Sequence, residues 1–130
     1  MSTDSQTVEQ LLAARVTSTY QMLMGHPLKQ VSCHFLSTHA IAILLEGAIT
    51  QPEKLLLSSG YGELVQVIRQ RLNDIIRPRI VAEVEAVLQR GVIDSPNDVK
   101  FESDRMSFIL VLTEPSNKVQ NDLFENAAGG

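Results

Sequence analysis

The sequence predicts a single α+β domain over residues 1–115, built as helix, hairpin, long kinked helix, hairpin, with a four-stranded, mostly antiparallel sheet and its helices on one face. Three observations carry that reading. Between Leu64 and Leu88, the residues Leu64, Ile68, Leu72, Ile75, Ile76, Ile80, Val84, Val87 and Leu88 recur at steps of three and four, the stripe of an amphipathic helix. Val31, Cys33 and Phe35 alternate with Ser32 and His34, and Met106, Phe108, Leu110 and Leu112 alternate in the same way, as half-buried strands do. Each alternating run has a second extended run beside it across a short turn.

In chain order, Ser5 or Thr7 can cap a first helix over about residues 7–24, with Val8, Leu12, Val16, Thr19 and Leu23 as its stripe. Gly25-His26-Pro27 stops it. The strand around Val31–Phe35 then turns at Ser37-Thr38-His39 into Ala40–Leu45, which is apolar at every position and so predicted to bury both faces. Thr50, Pro52 and Glu53 have the spacing of a helix start with a capping box, opening a short segment that Ser58–Gly62 interrupts. The long helix runs from near Gly62 to a stop at Gly91. Pro78 lies inside it at a cost of about 3 kcal/mol or more. The stripe keeps its phase across Pro78, which favours one kinked helix, or two meeting at a bend, over a helix end. The second hairpin comprises Val99–Glu102 and Met106–Thr113, and residues 116–130 read as a mobile C-terminal tail.

Composition narrows the function. Hydrophobic residues make up 44% of the 130 and charged residues 20%, a globular balance. The net charge of −4 and scattered basic residues argue against a nucleic-acid partner, as do two tyrosines and four phenylalanines with no stacking series. The N-terminus lacks a signal-peptide pattern and no apolar run approaches the ~18 residues of a membrane span, so a cytoplasmic protein that is not membrane-embedded is expected. One cysteine cannot form an internal disulfide, which fits a reducing compartment.

The chemistry-bearing residues form no catalytic signature. His26, His34, His39 and Cys33 lack the paired spacing of a four-ligand zinc site, so no metal is expected. Cys33 and His34 point to opposite faces of a strand, the wrong geometry for a nucleophile and its base. Ser58–Gly62 lacks the lysine of a phosphate loop, although it precedes a helix N-terminus where an anion can bind. No enzyme activity and no cofactor are expected. Two surfaces remain as candidates. Double-sided apolarity in both inner strands leaves a second sheet face, and Ile41, Ile43, Ile109 and Val111 are assigned to it as a partner or oligomer surface. Arg69, Arg77 and Arg79, near Pro78, are candidate anion or partner contacts, the structural alternative being ion pairs with acids such as Asp74 and Glu83.

Several segments resemble one family. Gly47-Ala48-Ile49-Thr50-Gln51-Pro52-Glu53-Lys54, followed by Leu55-Leu56, is similar to its G-x-L-T-x-x-E-x-x-L segment. The helix from Gly62 through Val65, Arg69, Arg77-Pro78 and Val84-Glu85 to Gly91 resembles its long helix. Tyr20 with Gly25-His26-Pro27 resembles its Y-x-x-x-x-G-x-G-P helix end, with one glycine absent. The family is that of the small, soluble MpsC-like proteins, named for a sodium-translocating, membrane-potential-generating system linked to bicarbonate uptake. The resemblance spans residues 10–113 and implies an accessory role with no catalytic residues. The function expected is therefore a non-enzymatic accessory or regulatory protein that self-associates and docks on a membrane transport complex. A small-ligand or anion sensor, and after it an RNA-binding module, are the alternatives.

Overall fold

The structure, a computed structural model, describes residues 2–114, with side chains from Thr7 onward. The tail expected at 116–130 lies outside the described residues. The elements are α1 (Ser2–Met24), β1 (Gln30–Ser37), β2 (Ala40–Glu46), α2 (Gln51–Ser58), α3 (Gly62–Leu88), β3 (Val92–Asp94), β4 (Asn97–Lys100) and β5 (Arg105–Leu112). The expected order of helix, hairpin, long helix and hairpin is present.

The sheet is open and antiparallel, and it has five strands rather than four. Its order is β1-β2-β5-β3, with β4 also pairing with β5. The extra strand arises at Pro96. Val92 and Asp94 pair with Leu112 and Val111, then the chain crosses Ser95-Pro96, and Asn97–Lys100 pair with Phe108–Arg105. A proline has no N–H to give to a ladder. Its carbonyl still accepts from the Ile109 N–H at 3.0 Å, so the two short strands share one edge.

The register of β2 against β5 decides the two faces. Ile41 lies opposite Leu110, Ile43 opposite Phe108 and Leu45 opposite Met106, and all six are buried. They form one core with Cys33, with Leu12, Val16 and Tyr20 of α1, and with Ile76, Ile80 and Val84 of α3. Ile41 and Ile43 are therefore core residues, and their assignment to an outer partner surface is corrected. The uniform apolarity of β2 hid its phase: the larger residues at 41, 43 and 45 point inward, while Ala40, Ala42 and Leu44 are only half-buried. Ile109 (exposed) and Val111 (half-buried) do lie on the opposite face, beside Ala42 and Ala40.

Helix α3 is continuous through Pro78, which sits on its exposed side. There water can reach the carbonyl that the missing N–H leaves free. Its terminal left-handed residue is Gln89 (φ 54°), not Gly91. Its buried series is Val65, Arg69, Asn73, Ile76, Ile80 and Val84. The predicted stripe thus holds from Ile76 onward, but in the first half the inward face is rotated. Leu64 and Ile75 are exposed, and a charged residue lies inside instead.

Candidate functional site

Arg69 is among the largest fully buried side chains, with 2% of its surface exposed. An unpaired guanidinium there would be prohibitive, so its partners explain its place. Nε donates to Glu53 Oε2 at 2.7 Å, and one terminal nitrogen donates to Glu53 Oε1 and to the Ala48 carbonyl at 2.9 Å. The other donates to the Tyr20 hydroxyl at 3.1 Å, and that hydroxyl donates in turn to the Ala48 carbonyl. Arg69 is therefore an internal tie, and its expectation as an anion or partner contact is corrected.

Local sequence positions each partner. Tyr20 reaches in from the last turns of α1, which ends at Gly25 in a left-handed conformation (φ 60°). After β2, Gly47 (φ 74°) turns the chain; a Cβ there would meet Lys29 Cγ at 2.8 Å. Thr50 then caps α2: its N–H and hydroxyl donate to Glu53 Oε1 at 3.0 and 2.7 Å. That carboxylate closes the cap with one oxygen while both receive Arg69. From the β4–β5 turn, Asp104 accepts the Ile49 N–H at 2.7 Å and pairs with Lys54 at 2.9 Å, while its carbonyl takes the Gly47 N–H. The three motif segments around Tyr20, Gly47–Glu53 and Arg69 converge on this one point.

Protonation follows from the geometry. Burial pushes the Glu53 carboxyl up, but hydrogen bonds from Arg69 and Thr50, with the guanidinium charge, outweigh it and hold the carboxyl below its ordinary value. Burial also pushes Asp104 up, and the Ile49 N–H and Lys54 bring it net below its ordinary value. For Tyr20, burial dominates over Arg69 and raises the phenol. Two carboxylates with depressed folded pKa values stabilise the fold above their unfolded pKa of about 4, and that contribution is lost as pH falls through the folded values. The urea midpoint should accordingly drop steeply on acidification. In Glu53→Gln it should start lower at pH 7 and fall less steeply between neutral and acidic pH.

The surface carries several open features, among them two along α3. A cavity of about 320 Å³ runs between α3 and β4, lined among others by Gln66, Gln70, Asn73, Arg77, Asn97 and Phe101. On another flank of α3, Leu64 and Ile75 are exposed, at 48% and 60%, with Ile68 and Leu72 half-buried between them. Leu55 of α2 and Tyr61, just before α3, are exposed as well.

The other expected residues separate. Arg77 pairs with Asp74 at 3.8 Å, and Arg79 is exposed on α3. Glu83 pairs with Arg15. His26 bonds the Gly47 carbonyl at 2.8 Å, His34 lies 3.9 Å from Glu9 and His39 lies 3.0 Å from Glu114. Among the described residues no cluster of His, Cys, Asp and Glu is grouped to hold a metal. Burial, helped by Glu9, pushes the Cys33 thiol up to about 12, the inert form of a core cysteine.

These features define a small α+β protein whose interior charge is closed into an ion pair and whose open features include an apolar helix flank and a polar cavity. Residues 4–114 match the family described as Na+-translocating membrane potential-generating system (MpsC), and the chain belongs to that family. Neither curated proteins nor solved structures gave a match. No helix among the described residues is long and apolar enough to cross a membrane.

Proposed function

We propose that this chain is a non-catalytic, cytoplasmic accessory protein of a Na+-translocating, membrane-potential-generating system, and that it works as a homodimer joined through α3. Family membership supports the system. The dimer rests on the apolar flank of α3. Tyr61, Leu64, Ile68, Leu72, Ile75 and Arg79 follow one another at steps of three and four, and the series reads nearly the same in both directions about Gln70. An antiparallel second copy of α3 therefore sets Leu64 opposite Ile75, Ile68 opposite Leu72 and Tyr61 opposite Arg79. That is the self-complementarity a two-fold interface requires. The last pair adds a cation–π contact of about 0.5–2 kcal/mol.

The open sheet face is the lesser surface. Ile109 and Val111 share it with Ser32, His34, Ser107 and Arg105, which interrupt its apolar area. Leu64→Glu/Ile75→Glu should give a folded monomer with an unchanged circular dichroism spectrum, whereas Ile109→Glu should leave the dimer intact. In cells lacking the chain, Na+-dependent membrane potential should recover with the wild type and not with the monomeric variant. Full recovery with the monomer would refute the role of the dimer. No effect of deleting the chain would refute the assignment to the system.

A further inference from the structure

The outer face of the sheet takes no part in the ion-pair network or the α3 flank. Its rows follow from the register. Ser37, Ala40, Val111 and Asp94 stand side by side across four strands, with His34, Ala42 and Ile109 as the next row and Ser32, Leu44 and Ser107 as the one after. Ala40, Ala42, Leu44 and Val111 are half-buried, and Ile109 is exposed. Leu36 and Ile93, next in sequence to Ser37 and Asp94, are exposed at 59% and 67%. Apolar surface is thus concentrated at the end of Ala40 and Val111, while Glu46, Arg105 and Lys100 occupy the other end.

Strand β5 delivers the chain to that same apolar end. The Leu112 N–H donates to the His39 carbonyl at 2.8 Å, Arg90 donates to the Thr38 and Thr113 carbonyls, and Glu114 lies 3.0 Å from His39. Glu114 is therefore held at the β1–β2 turn, beside the row of Ala40 and Val111. Pro115 has no N–H with which to extend the ladder. Beyond it, Val119, Leu123 and Ala127 recur at steps of four with Phe124 beside Leu123, while Lys118, Asn121, Asp122 and Glu125 fall on the opposite side of a helix. A helix that short is marginal alone and needs a surface against its apolar side.

From these observations we infer that residues 115–130 fold back and lay this apolar side on the open face of the sheet, over Ala40, Ala42, Ile109 and Val111. The dimensions agree. As a helix, residues 118–128 run about 16 Å at 1.5 Å per residue, and the face from Val111 to Ser107 runs about 13 Å at 3.3 Å per residue. The tether decides the occupant. A short link holds the segment at an effective concentration of about millimolar, so it takes the face ahead of a separate protein of like affinity. The sheet is then covered by α1 and α3 on one side and by the chain's own C-terminal segment on the other. None of this depends on the α3 dimer.

The test is NMR of the full chain with isotope-labelled methyl groups. Nuclear Overhauser contacts should join the Leu123 methyls and the Phe124 ring to the methyls of Ala42, Ile109 and Val111. Leu123→Glu/Phe124→Glu in the segment and Ile109→Glu on the face should each lose these contacts and shift the Ala42 and Val111 signals, with the Ile41 and Ile43 signals of the core in place. A mixture of labelled and unlabelled copies should show no such contact between chains. The inference is overturned if the contacts are absent from the full chain, if they run to Leu64 and Ile75 on α3 instead, if they form only between copies, or if the Ala42 and Val111 signals stay unchanged in both variants.

Discussion

Arg69→Met should destabilise the protein by about 3–5 kcal/mol, the usual cost of removing one partner from a buried ion pair. The loss comes mostly from what stays behind. Glu53, 3% exposed, would keep its charge with only Thr50 to satisfy it, and the Ala48 carbonyl would keep only the Tyr20 hydroxyl. Against a total stability of about 5–15 kcal/mol, that is a large fraction. The double variant Arg69→Met/Glu53→Leu removes both charges and should recover most of the loss, leaving a deficit of about 1 kcal/mol for the broken cap of α2. Urea unfolding of the wild type, both single variants and the double variant gives the coupling directly. A double variant no more stable than Arg69→Met would show that the two side chains act separately.

Ile41→Glu should abolish folding at neutral pH. Ile41 has no exposed surface and faces Leu110 across the core side of β2 and β5. Removing its side chain costs about 2–5 kcal/mol through the lost contacts. The unpaired carboxylate adds several kcal/mol more, which together matches the whole stability of a domain. Ile109→Glu, one residue from the Leu110 position and on the open face, should remain folded with a change of about 1 kcal/mol or less. Circular dichroism and amide-proton NMR spectra of the two variants distinguish the faces of the sheet. Equal tolerance at the two positions would contradict the register.

Most of the fold was legible because it rests on local pattern. Period-two runs located β1 and β5, and Gly25-His26-Pro27 ended α1 where expected. Thr50 and Glu53 announced α2 through a cap whose partners are three residues apart. What was not legible depends on distant partners. Periodicity placed Arg69 on the wet side of α3 because a lone arginine belongs there. It is buried only because Glu53, sixteen residues earlier, meets it. The same carboxylate was readable as a capping residue and not as the counter-charge. Once Arg69 turns inward, Leu64 and Ile75 turn out, so one long-range pair changed both the core face and the exposed flank. The faces of β2 were ambiguous for another reason: a strand apolar throughout carries no phase, and only the size difference between Ile41 or Ile43 and Ala40 or Ala42 hinted at it. The split at Pro96 went unread because strands of three and four residues carry too little alternation to register.

The proposed dimer makes the outward turn of Leu64 and Ile75 the surface through which the protein works. Sedimentation equilibrium of the purified chain tests it most directly. The wild type should sediment as a species of twice the 14.4 kDa chain mass, which Leu64→Glu/Ile75→Glu converts to a folded monomer. A wild-type protein that stays monomeric at high micromolar concentration, or a dimer indifferent to both substitutions, would contradict it.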